Sequence, residues 1–249
     1  MFLGELTWPE FKELDRSKLV GVYPIAAFEQ HGPHLPFLTD TIETTEIVRR
    51  LDERIPDQVV CLPTQWLGYS YHHTRFAGSM TATSETHINL IAETVGCLLD
   101  AGLDKVLIVN GHGGNKPDLT VALQKIKEKY PHSRVIGASW WEVAGEQIAA
   151  IREAGPLGWG HAGEMETSVM LAIRPDLVHT DKLRKDGRAP ASEYSGKTMQ
   201  YRRMDEVTDC GVFGDATYGT ADKGERMMQA VIDCYVEVVS DMQSNRLYA

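Results

Sequence analysis

The chain runs Leu19-Val20-Gly21-Val22-Tyr23-Pro24-Ile25-Ala26-Ala27 and then, after Phe28, enters Glu29-Gln30-His31-Gly32-Pro33-His34-Leu35-Pro36, with Asp40 closing the segment. The apolar residues Leu19, Val20, Val22, Ile25, Ala26 and Ala27 read as a buried strand. Glu29 and His31 then fall where a strand gives way to a loop. Side chains alternate along an extended chain, so residues two apart share one side. Within twelve residues stand a carboxylate, two imidazoles and a second carboxylate. Strand ends of α/β sheets are where such proteins place their chemistry.

Working outward, Val59–Leu62, Lys105–Asn110 and Arg134–Ser139 repeat the pattern: an apolar run followed by Gly, polar or charged residues. Helical spacing predicts helices between them, over Thr41–Ile55, Ser84–Ala101, Leu119–Tyr130, Trp141–Ala154, Glu164–Ala172 and Lys223–Met242. Strands alternating with helices predict an α/β fold with a mostly parallel sheet covered on both faces. No internal repeat or low-complexity segment interrupts the 249 residues, which read as a single domain over 1–249. The polar stretch from Asp181 to Gly219 reads as a long excursion of loops.

Composition narrows the function classes. A net charge of −10 lacks the footprint of a nucleic-acid binder, and no basic arm is present. No run of about 20 apolar residues predicts a membrane span, and the N-terminus carries no signal-peptide pattern. Cys61, Cys97, Cys210 and Cys234 form no C-x-x-C pair and read as reduced packing thiols, which suggests a cytoplasmic protein.

Four constellations carry chemistry. Glu29, His31, His34 and Asp40 read as metal ligands; carboxylate with imidazole suits Zn, Mn or Fe, and the lack of thiolates argues against a structural zinc. Asn110-Gly111-His112-Gly113-Gly114-Asn115 follows a strand and presents His112 at its end, without the spacing of a phosphate loop. Trp159-Gly160-His161-Ala162-Gly163-Glu164-Met165-Glu166 leads into a helix. Carboxylates favour such a first turn, which accounts for one of Glu164 and Glu166 but not for His161, a candidate acid/base. Gly68-Tyr69-Ser70-Tyr71-His72-His73 reads as a pocket lining, with no nucleophile elbow around Ser70. Trp140-Trp141 ends a strand, where a pocket wall competes with the core.

Taken together, these motifs resemble the creatininase (creatinine amidohydrolase) family. The match includes Gly4-Glu5-Leu6-Thr7-Trp8, Glu29 to Pro36 with Asp40, the Asn-Gly-His turn, Trp159, His161, Glu166-Thr167-Ser168, and Gly211 to Gly224. The resemblance implies a three-layer α/β/α fold, two divalent metal ions (Zn, Mn or Fe) and a homohexamer. It implies Glu29 and His112 on one metal, His31 on the other, Asp40 bridging and His161 as proton shuttle. Trp141 and Trp159 match substrate-flanking positions, and Ser70, His73 and Gly113 are further substrate-binding candidates. Creatininase has Tyr and then a metal-binding Glu where this chain has Gly113 and Gly114. Glu164 is the candidate replacement at the second metal, and Glu166 the backup.

The implied activity is hydrolysis of a non-peptide, small-molecule C–N amide bond by a metal-activated water, with Glu164 or Glu166 taking the water's proton and His161 serving the leaving nitrogen. The alternatives are hydrolysis of a lactone or a sugar-derived cyclic ketone at the same two-metal centre, a formylamino-pyrimidine deformylase, and a non-catalytic metal-binding protein. The expected partner is a small molecule, with neither nucleic acid nor membrane.

Overall fold

Branched residues dominate the four strands that form the centre of the molecule. The computed structural model describes residues 1–188 and 197–248. A short helix α1 (Trp8–Glu13) precedes strand β1 (Val20–Ile25). Helix α2 (Thr39–Arg54), β2 (Val59–Cys61), α3 (Ser84–Asp100), β3 (Lys105–Asn110), α4 (Lys116–Lys129) and β4 (Arg134–Ser139) follow in turn. The chain continues through α5 (Trp140–Val143), α6 (Gly145–Ile151), α7 (Glu164–Ile173), β5 (Lys185–Asp186), β6 (Gly214–Asp215) and α8 (Ala221–Gln243).

The main sheet has the order β2-β1-β3-β4 and is parallel throughout, while β5 and β6 form a separate antiparallel pair. Side-chain alternation divides the core in two. Val20, Val22, Leu107 and Val109 face Ile47 and Leu51 of α2, Val169 of α7 and Met227, Val231 and Tyr235 of α8. Tyr23, Ile25, Val106 and Ile108 face Ile91 and Val95 of α3 and Ala122 and Ile126 of α4. Burying both faces explains why these strands read as near-continuous apolar runs. The result is the expected three-layer α/β/α arrangement. Because the strands are parallel, their carboxyl ends share one edge, and residues following β1, β3 and β4 converge there.

β3 and β4 have the expected bounds; β1 and β2 are shorter. α4 begins at Lys116, earlier than Leu119, because Pro117 in its first turn has a fixed φ and no N–H to waste. The expected helix from Trp141 to Ala154 is broken at Ala144, whose backbone (φ −104°, ψ 28°) leaves the helical region before Gly145 restarts it. The excursion from Asp181 to Gly219 is mainly loops and short 3-10 turns around β5 and β6, and its residues 189–196 lie outside the described ones. Among the described residues no helix is long and apolar enough to cross a membrane.

Candidate metal centre

Glu29 and His31 follow β1, Asp40 lies in the first turn of α2, and His112 follows β3. Glu29, His31 and Asp40 are at most 2% exposed and His112 is 5% exposed, a degree of burial that such polar groups tolerate only with partners. Glu166 enters from the first turn of α7, and His161 from the segment before it.

Proton placement is legible in the hydrogen bonds. His31 Nδ1 donates to the Glu29 carbonyl (3.1 Å), His112 Nε2 to the Tyr69 carbonyl (3.0 Å) and His161 Nε2 to the Gln30 carbonyl (2.7 Å). A carbonyl only accepts, so neutral His31 and His161 carry their protons on those nitrogens; His112 Nε2 stands between the Tyr69 carbonyl and Glu29 Oε2, 3.2 Å away. The remaining nitrogens face carboxylates. His31 Nε2 is 2.9 Å from Asp40 Oδ1, His112 Nδ1 is 3.1 Å from Asp40 Oδ2, and His161 Nδ1 is 3.6 Å from Glu29 Oε1. His31 Nε2, Asp40 Oδ2 and both Glu29 oxygens are buried without a hydrogen-bond partner. Lone pairs facing lone pairs require a positive charge between them. A ligating histidine that gives its other N–H to a carbonyl is the usual arrangement at a metal. The donor set of carboxylates and imidazoles fits zinc, manganese or iron.

Acid–base properties express the same demand. Burial opposes a charged His31, but Asp40 outweighs it and raises the imidazole to about 9. His112 is raised for the same reason, with Glu29 the larger partner. Burial would push Glu29 and Asp40 up, yet the facing imidazoles hold both below the ordinary carboxylate range. Glu166 goes the other way: burial, only partly offset by His31, raises it to about 7. His161 is held down to about 3 by burial and by its neighbour His31.

Among the described residues, ligand-capable atoms fall into three groups, each within 4.8 Å: Glu29–His31–His161, Glu29–His72–His112 and His31–Asp40–Glu166. Asp40 presents one oxygen to His31 and the other to His112, the disposition of a bridging carboxylate. Glu166 Oε2 lies 3.9 Å from His31 Nε2 and accepts the Ala162 N–H at 2.5 Å. Ala162 has φ 53°, a left-handed conformation unusual for a side chain, held where it turns this N–H onto the carboxylate.

Glu164 stands elsewhere. It is fully buried, its Oε1 accepts from Lys223 Nζ (2.8 Å), and the N–H groups of Glu153 and Ala154 donate to its carboxylate. No metal-capable group among the described residues contains it. The expectation that Glu164 serves as a metal ligand and catalytic carboxylate is therefore corrected: the Lys223 ammonium and two backbone N–H groups already occupy it. Its structural work is to tie the end of α6 to the start of α7. His34, also expected near the metals, is in none of the groups; its Nε2 is 2.9 Å from Thr167 Oγ1.

A cavity of about 300 Å³ opens onto the centre, walled by Trp141, Trp159, His73, Gly113 and Met204. Arg152 lies over the Trp159 ring, 4.3 Å from its centroid, and steadies that wall. Gly160 sets the approach to His161, since a Cβ there would lie 1.5 Å from the Phe213 carbonyl oxygen. His73 is buried between two partners: Gln30 Nε2 meets its Nδ1 at 2.9 Å, and its Nε2 is 3.3 Å from Glu29 Oε1. Ser70 is fully buried, with Oγ 3.3 Å from His112 Nε2, so it backs the imidazole and is not part of the cavity wall expected of it. Sequence reasoning assigned no role to Gln30, although its position between two candidate ligands was a usable signal. Its amide donates to Gly211 O (3.0 Å) and accepts the Gly32 N–H (2.9 Å).

Comparison with known proteins shows the family and the fold. The Creatininase family model, described as creatinine amidohydrolase, matches residues 4–239. A mycofactocin precursor peptide peptidase from Mycobacterium ulcerans (strain Agy99) is 32% identical over 238 residues, covering 93% of this chain and 88% of that protein. A creatinine amidohydrolase from Pseudomonas putida is 25% identical over 256 residues, covering 97% and 96%. A solved mutant creatininase of Zn-Zn type superposes with a TM-score of 0.84 at 25% identity, covering 96% of this chain and 97% of that one.

Proposed function

Because the chain belongs to the creatininase family of amidohydrolases, we propose that it hydrolyses a non-peptide C–N amide bond of a small molecule at a centre of two divalent metal ions. Glu29 and His112 would hold one ion and His31 and Glu166 the other, with Asp40 within reach of both positions. The observation that carries this reading is the cluster in which Asp40 meets one nitrogen each of His31 and His112, while His31 Nε2, Asp40 Oδ2 and both Glu29 oxygens are buried without a hydrogen-bond partner. Zinc, manganese or iron there supplies a water of lowered pKa and polarises the scissile carbonyl.

The chain's own groups do the rest. Trp141 and Trp159 form apolar walls that position a flat amide and keep bulk water away. His161 keeps its Nε2 proton on the Gln30 carbonyl, so Nδ1 is the atom it presents to the centre; held low by burial, it is suited to passing a proton on to the leaving nitrogen rather than to retaining one. Gly113 leaves one side of the cavity free of side chain.

A second reading keeps the centre and takes a peptide C–N bond, favoured by the 32% identity to a peptide peptidase. The test is elemental analysis of purified protein coupled to a screen of cyclic amides, formamides, lactones and short peptides. Two ions per chain with turnover of a small amide supports the first reading. Turnover confined to peptides selects the second, and an inert protein free of metal after reloading overturns both. The proposal extends to a cytoplasmic homohexamer acting on a small-molecule substrate; light scattering showing a monomer at working concentration would remove the hexamer.

A further inference from the structure

His72 has no place in the ligand set above, yet it stands against it. Tyr71–His73 form a single 3-10 turn, and the His72 ring lies nearly parallel to that of His112, with centroids 5.5 Å apart and 17° between planes. Gly114 makes room for it. A Cβ at that position would sit 2.7 Å from His72 Cε1 and 2.4 Å from both His112 Nε2 and the Tyr69 carbonyl oxygen. Any larger residue at 114 would have to displace these rings or the Tyr69 backbone.

Two observations point from this packing to an ion. His72 Nδ1 is buried and has no hydrogen-bond partner, and the same holds for both oxygens of Glu29. One ligating atom each of Glu29, His72 and His112 lies within 4.8 Å of the others. A buried imidazole nitrogen with no donor or acceptor is uncommon unless an ion or water completes it. Tyr201 meets the ring edge-on at 6.3 Å and helps to hold it in place.

We infer that His72 is a ligand of the metal position formed by Glu29 and His112, occupying the space that Gly114 leaves open. This rests on the two-metal reading above. A neutral nitrogen donor suits zinc or iron over magnesium or calcium. It also adds no negative charge, so the three carboxylates Glu29, Asp40 and Glu166 leave two dications with a net positive charge. A centre of that charge favours an anionic group of the substrate or a deprotonated water.

The experiment is a calorimetric titration of metal-free protein with Zn²⁺, alongside the visible spectrum of the Co²⁺-loaded form. The wild-type chain takes up two ions. His72→Asn weakens one of them at least about tenfold, leaves the other unchanged and alters the cobalt bands. His72→Glu, which supplies an oxygen donor in the same place, recovers the second ion. Equal thermal melting of the metal-free variants shows that the loss is not one of folding, and if His72→Asn melts lower, the recovery in His72→Glu carries the test. Uptake of two ions by His72→Asn with wild-type affinity and an unchanged cobalt spectrum overturns the assignment of His72 alone. A wild-type chain that binds fewer than two ions overturns the two-metal reading beneath it.

Discussion

Glu164 and Glu166 stand two residues apart in the first turn of α7 and serve opposite ends. Glu164 is enclosed by a lysine ammonium and two backbone N–H groups, so its negative charge is fully met. Glu166 accepts one N–H and otherwise faces His31 and Asp40, and burial lifts it to about 7. One carboxylate holds the fold together, and the other is kept in an environment that wants a cation. Residue type and helix position are shared by the two. The difference comes from what each meets across the helix: α8 and the end of α6 on one side, the ends of β1 and α2 on the other.

The largest effect that would break this comparison lies at Asp40, which meets both His31 and His112 and which the proposed function gives to both ions. Asp40→Asn should lose both ions and reduce hydrolysis to background, as measured by metal content and turnover together; retained activity with retained metal would remove Asp40 from the centre. Next come the two glutamates. Glu166→Gln should lower turnover at least about 100-fold without lowering thermal stability at neutral pH. Lys223→Met should do the reverse, costing about 3–5 kcal/mol in denaturant unfolding because Glu164 is left buried without its cation. It should leave the ratio of metal to protein unchanged in the molecules that remain folded.

A pH series sharpens the contrast further. In the metal-free protein Glu166 sits at about 7, above its ordinary 4.5. Between those values the folded chain binds more protons at this site than the unfolded chain. Stability therefore declines as pH rises through the window. Glu166→Gln should flatten that decline, read as melting temperature from pH 4.5 to 7. The smallest effect belongs to Glu153, whose exposed carboxylate also pairs with Lys223 at 2.6 Å. Glu153→Gln should change stability by less than about 1 kcal/mol, since solvent screens such a pair.

How much of this was legible in the chain depends on the range of the interaction involved. β3 was readable to the residue because both of its faces are buried and its apolar run is unbroken; β4, at the sheet edge and only half-buried, was readable from its shorter apolar run and the tryptophans that follow it. The early start of α4 was also present in the sequence, in Pro117, but periodicity alone begins at Leu119. The break at Ala144 was less visible, since the residues on either side keep helical spacing. Within the site, Glu29, His31, Asp40 and His112 could be proposed from local order, because each follows or opens an element whose end could be located. His72 could not. Its place depends on the absence of a side chain at Gly114, more than forty residues away in sequence, and on the direction of the His112 ring.

By itself the sequence determined the alternation of strands and helices, the carboxyl edge on which the chemistry gathers, and the supply of imidazoles and carboxylates at that edge. Those follow from local periodicity and from the direction of parallel strands. The tertiary structure alone decided which of two glutamates faces His31 and Asp40, because residues two apart on a helix point to different sides and only packing sets its rotation. It also decided which nitrogen of each histidine is bare, because that follows from the carbonyl each ring meets in space.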